Sequence, residues 1–105
     1  MIKEINDSTF YNEVSQAEIP VIVDFWAPWC GPCKMVSPVL EGLEAEYGSK
    51  VKFVKINVDE SPVISQRYKI SSIPTIMMFS KGLTTETLVG FRPRQAFEDI
   101  IKKYI

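Results

Sequence analysis

Val21-Ile22-Val23-Asp24-Phe25-Trp26-Ala27-Pro28-Trp29-Cys30-Gly31-Pro32-Cys33 holds the strongest structural signal in the chain. Residues 21–26 are apolar and largely β-branched apart from Asp24, the pattern of a strand buried on both faces of a parallel sheet. Two cysteines follow at once, three positions apart, where the strand gives way to a helix. Downstream, Val36, Val39, Leu40, Leu43 and Tyr47 fall at i, i+3, i+4, i+7 and i+11, with Glu41, Glu44 and Glu46 elsewhere around the same helix. Gly48 is expected to end it. Val51 to Val58 reads as another strand, and the succession strand, long helix, strand is the sequence form of a βαβ crossover with parallel strands.

Working outward, Ile2 to Ile5 reads as a short strand, and Asn6-Asp7-Ser8 supplies cap residues for a helix with apolar positions Phe10, Val14 and Ala17, ending before Pro20. Asp59-Glu60-Ser61-Pro62 opens a short helix reaching about Tyr68, with Pro62 in the first turn, where its missing N–H has no partner to lose. Thr75 to Phe79 and Thr85 to Val89 pattern as a hairpin across Ser80-Lys81-Gly82, a looser turn signal than Asn-Gly. Phe97, Ile100, Ile101 and Tyr104 form a last helical stripe starting near Pro93. Pro38 falls inside the long helix, where it deletes one hydrogen bond and is expected to kink the axis.

The totals exclude several functions. At 105 residues the chain suits one core. Its 46% hydrophobic and 24% charged residues match a folding globular protein. Twelve basic against thirteen acidic residues give a net charge of −1, which offers no positive field for a nucleic acid. No stretch reaches the roughly 20 apolar residues needed to cross a bilayer. The opening residues Met1 to Asp7 lack the layout of a secretory signal, so a cytoplasmic location is expected.

With two cysteines and no histidine, the chain alone cannot build a closed four-ligand zinc site, and a cysteine protease would lack its imidazole base. No metal site is expected. Disulfide exchange fits the position of the pair better. A Cys30 at a helix N-terminus gains from the free amides and the positive end of the helix dipole, which favour thiolate over thiol. Cys33, one turn further in, is expected to be less exposed and to act as the resolving thiol. Gly31 lets a substrate backbone approach, and Pro32 presets the helical φ while removing an unpartnered N–H. A structural disulfide and a metal site shared between two copies are the plainer alternatives; the compartment implied by the N-terminus speaks against the first.

Beyond these readings, Phe25-Trp26-Ala27-Pro28-Trp29-Cys30-Gly31-Pro32-Cys33-Lys34 resembles the active-site signature of the thioredoxin family, Asp24 resembles its buried acid, and Ile73-Pro74-Thr75 its cis-proline loop. The likeness covers the whole chain. It implies a single domain over residues 1–105 with a thioredoxin fold: an α/β arrangement in which a central mixed five-stranded sheet is flanked by four α-helices. It also implies a monomer that reduces protein disulfides through a reversible Cys30–Cys33 pair with no bound cofactor. Electrons would come from NADPH by way of a thioredoxin reductase, and the substrates would include ribonucleotide reductase, peroxiredoxins and methionine sulfoxide reductases. Ser71-Ser72 and Phe91-Arg92-Pro93 depart from the usual pattern and bear on substrate choice.

The likeness also bears on single residues. Asp24, by composition alone either a buried acid or an acid reaching water at a strand end, becomes the proton acceptor and donor for Cys33. Lys55 shares a strand face with Val51 and Phe53 and becomes a candidate partner for Asp24, where a solvent-facing lysine is the plainer alternative. An X-Pro bond is ordinarily trans; the likeness makes Ile73-Pro74 cis and puts the Ile73 backbone beside the cysteines, able to pair with an extended substrate. Trp29, Pro32, Ile73, Val89 and Gly90 would form an apolar contact surface around the pair, Trp26 would lie in the core, and Arg92 and Arg94 would steer acidic partners. Pro32, where disulfide-forming relatives often carry histidine, points to a reductant. The rival outside catalysis is a binding subunit or holdase that uses the same fold.

Overall fold

A computed structural model describes residues 1–105. Five strands form one mixed sheet in the order β1-β3-β2-β4-β5: β1 is Lys3–Ile5, β2 Val21–Trp26, β3 Lys52–Asn57, β4 Thr75–Ser80 and β5 Leu83–Val89. β1 and β2 both run parallel to β3, while β4 is antiparallel to β2 and to β5. The helices are α1, Gly31–Tyr47, α2, Pro62–Arg67, and α3, Arg94–Ile101. α1 joins adjacent parallel strands, so the expected crossover is present.

Alternation along the strands divides the core in two. Ile22, Phe53, Ile76 and Met78 face α1 and α3, where they pack with Val36, Leu40, Leu43, Phe97 and Ile101. Val21, Val23, Phe25, Val54, Ile56, Met77 and Phe79 face the other way, onto Phe10, Val14 and Ile64. On that second face Phe10, Tyr68 and Phe79 meet with ring centroids 5.2 to 5.7 Å apart, separations typical of favourable aromatic pairs. β2 is buried along its length except at Trp26, as its composition required.

Two local expectations changed. The segment after β1 is a π-helical turn, Tyr11–Ser15, rather than an α-helix, so the flanking helices are three α-helices and one wide turn. The Gln16 N–H reaches five residues back to the Tyr11 carbonyl. Core packing sets this geometry, since Phe10 and Val14 are each 1% exposed and a short helix has little intrinsic stability to oppose them. Asn6 caps the segment as expected, its Oδ1 accepting from the Ser8 and Thr9 amides. Asp7 caps a different element, accepting from Val63 and Ile64 at the start of α2.

The hairpin turn is tighter than expected. Lys81 and Gly82 alone connect β4 to β5, at φ of 53° and 81°, the positive-φ pair that a two-residue turn requires. A register shift follows between Met78 and Phe79. Gly48 ends α1 at an ordinary helical φ; it is glycine because a Cβ there would lie 2.6 Å from the Glu44 carbonyl oxygen.

Leu40 is fully buried between α1 and the sheet. Leu40→Ala is expected to lower stability by about 2 to 5 kcal/mol in urea titrations, with the slope unchanged; a loss under about 1 kcal/mol would show that this interface does not hold the fold.

Candidate active site

The end of β2 is fixed by strands on both sides, and α1 starts five residues later. Cys30 stands at the N-cap of α1 in extended conformation, and its Sγ accepts from the Cys33 N–H at 3.1 Å. A sulfur thus does the work usually done by a serine, threonine or aspartate oxygen. Pro32, exposed in the first turn, has no N–H to compete. Cys30 and Cys33 are joined as a disulfide with their Cα atoms 5.3 Å apart. Together with Ala27 they form a small separate cluster, packed against Trp26, Val58 and Ile73.

Sequence reasoning expected Cys30 to be the more exposed thiol. In the oxidised protein each cysteine is 4% exposed, so exposure does not tell them apart. Surroundings do: Cys30 faces the loop, with Ile73 O at 3.6 Å, and Cys33 faces a cavity of about 110 Å³ that it lines with Asp24, Lys34, Ser37 and Lys55.

Asp24 is 5% exposed, and its Oδ1 has no hydrogen-bond partner. Burial pushes its carboxyl up from 3.8 to about 7, while Lys55 pulls it down and Glu4 pushes it further up. Lys55 lies in register with Asp24 but makes no ion pair with it; the ammonium rests over the Trp26 ring, 5.0 Å from its centroid. Trp26 is only half-buried, not a core residue, and its Nε1 donates to Glu4 Oε2 at 3.1 Å.

The expected contact residues converge on the disulfide. The Ile73-Pro74 bond is cis. The Gly90 N–H donates to Pro74 O at 2.8 Å, and Val89 is in register with Thr75, so Ile73, Pro74, Val89 and Gly90 form one edge of the site. Trp29 is 69% exposed, and its Nε1 donates to Asp59 Oδ2 at 2.9 Å. Val89 and Phe91 are exposed as well. Arg94 is committed elsewhere: it bridges α1 and α3 through Glu46 and Glu98. Arg92 donates to the Val89 carbonyl and Ser71 and Ser72 are exposed. Asp59 and Glu4 carried no sequence signal, since each is tied to the site by a contact distant along the chain; Ser37 reaches the cavity one helical turn after Cys33.

A dithiol–disulfide pair capping a helix at the end of a central strand, beside a cis-proline loop and a buried carboxylate, defines the class of thiol–disulfide oxidoreductases. Comparison with known proteins agrees. The thioredoxin family model matches residues 1–103. The thioredoxin of Porphyra purpurea is 47% identical over 99% of this chain and 97% of its own length. An M-type chloroplastic thioredoxin of Chlamydomonas reinhardtii is 48% identical over 96% of this chain and 72% of its own, and thioredoxin 1 of Nostoc sp. is 44% identical over 97% and 95%. The chain belongs to the thioredoxin family. It is a protein-disulfide reductase whose redox-active group is the Cys30–Cys33 disulfide, and it acts on disulfide-containing proteins and is itself served by a reductase. No helix is long and apolar enough to cross a membrane.

The Asp24 carboxyl makes stability depend on pH. Its pKa is raised in the folded protein, so between about pH 4 and 7 the folded state holds a proton that the unfolded chain has lost. Stability from this group is present at low pH and is lost as pH rises to about 7. Asp24→Asn should therefore stabilise the oxidised protein at pH 8 by roughly 2 to 4 kcal/mol, and by much less near pH 4. Urea unfolding at both values checks this; equal stability at pH 8 would contradict it.

Proposed function

We propose that this single domain of residues 1–105 is a monomeric cytoplasmic reductant in which Cys30 attacks, Cys33 resolves and Asp24 handles the proton. The observation that carries the assignment is the Cys33 amide directed at Cys30 Sγ. That hydrogen bond and the end of the α1 dipole stabilise negative charge on Cys30 and not on Cys33. The Cys30 thiolate attacks one sulfur of a substrate disulfide and displaces the other as a thiolate, leaving a mixed disulfide. Cys33 gives up its proton, attacks Cys30 Sγ and releases the second substrate sulfur; two electrons pass to the substrate and the protein is left oxidised.

Asp24 supports the second step because it shares the cavity with Cys33, which has room for a bridging water. Its elevated pKa matches proton transfer near neutrality. Lys55 is near enough to modulate the Asp24 charge. Gly31 and Pro32 keep the approach to Cys30 open, while Trp29, Ile73, Pro74, Val89 and Gly90 seat an extended substrate segment, with the Ile73 backbone as a pairing edge. Re-reduction by thioredoxin reductase, with electrons from NADPH, completes the cycle. Ribonucleotide reductase, peroxiredoxins and methionine sulfoxide reductases are the substrates proposed from family membership. A cytoplasmic setting fits a pair that must be kept reduced.

In an insulin-reduction assay coupled to NADPH and a thioredoxin reductase, Cys30→Ser is expected to lose activity by at least about a thousandfold. Cys33→Ser should accumulate a mixed disulfide visible by mass spectrometry; trapping by the Cys30 variant instead would reverse the roles. With pre-reduced protein, the wild-type rate should rise as pH passes about 7, and Asp24→Asn should be slower and lack that rise. Full cellular activity of a Cys30→Ser, Cys33→Ser double variant would favour a binding subunit instead.

A further inference from the structure

β1, β3 and β2 bring three charged side chains into one row. Glu4 is in register with Lys55, and Lys55 with Asp24. Residues in register on parallel neighbours project to the same face, here the face covered by α1, as the burial of Ile2, Ile22 and Phe53 against that helix shows. The Lys55 ammonium has a carboxylate on either side, yet it forms an ion pair with neither. It rests on the Trp26 ring, and that ring is held at its Nε1 by Glu4.

We propose that Glu4 is a positioning residue for the Cys33 proton acceptor: through the Trp26 indole it holds the Lys55 ammonium away from Asp24, and its own charge competes for that ammonium. The inference rests on the reading of Asp24 given above. An ammonium in direct contact with Asp24 would keep the carboxylate ionised and make it a weak base. With Lys55 shared across the row, Asp24 stays near the neutral range, consistent with the opposite directions in which Glu4 and Lys55 act on it. The other ionisable groups facing Asp24 are Cys33 and Lys34 of α1, which line the same cavity; β4 places Ile76 opposite it and adds no charge.

Glu4→Gln keeps an oxygen for the indole N–H and drops the charge, whereas Glu4→Ala drops both. The test is a carbon-13 NMR titration of the Asp24 carboxyl in the reduced full-length protein, at low ionic strength because Glu4 is exposed. The midpoint is expected to fall by roughly half a pH unit in Glu4→Gln and further in Glu4→Ala, where the indole is also released. An unchanged midpoint in Glu4→Gln overturns the proposal, whether or not Glu4→Ala folds. The pH profile of insulin reduction by the pre-reduced variants separates the two readings. A profile that moves with the midpoint supports both; a midpoint that moves while the profile stays upholds the role of Glu4 and overturns Asp24 as the acceptor.

Discussion

The Cys33 amide donates to the Cys30 sulfur, and the rest of the molecule is arranged so that this bond has a fixed place and direction. A helix N-terminus stabilises an anion only if its free amides point at the charge. α1 is held in that pose by Val36, Leu40, Leu43 and Tyr47 against the sheet and by the Arg94 bridge to Glu46 and Glu98 from α3. Gly42 fits the same arrangement. A Cβ there would lie 3.2 Å from the Arg94 guanidinium, so a residue that weakens a helix by about 1 kcal/mol lets the bridge cross α1 closely.

Asp24 works against the fold that carries it. A carboxylate in the central strand, with one oxygen wholly buried and unpartnered, is destabilising, and a well-packed apolar residue would suit the same position better. Folding tolerates it because β2 is paired on both edges and its other inward residues are fully packed. Local conflict with the general rule of burial is expected at functional groups, in keeping with the role proposed for Asp24.

The central strand, the long helix and the cysteine junction were legible because each is written in neighbouring residues: β-branched runs, a 3.6-residue stripe, a spacing of three. Asp24 was legible as an anomaly within such a run. The chain's long-range contacts had no comparable signal. Asp7 caps α2 from 56 residues away, Asp59 pins Trp29 across 30 and Glu4 holds Trp26 across 22; in sequence Asp7 and Asp59 read only as residues at the starts of their neighbouring helices, and Glu4 as an ordinary surface acid. The π-helical turn was hidden for a related reason, since Phe10 and Val14 fit an α-helix as well as a wide turn, and only the core chooses. The relative exposure of the two cysteines could not be inferred from their order, because the loop that covers Cys30 comes from Ile73, 43 residues on.

That covering loop also gives the two cysteines different surroundings. Cys30 sits under Ile73 within an edge of chain that includes Pro74, Val89 and Gly90, the edge proposed to meet a partner protein. Cys33 turns toward the cavity it shares with Asp24, where the proposed proton transfer would be shielded from that partner. A helical turn places the two thiols three residues apart, close enough to bond and yet facing different surroundings. In the proposed mechanism the attacking sulfur faces one side and the proton acceptor the other, so a bound substrate would not block the base required for its release.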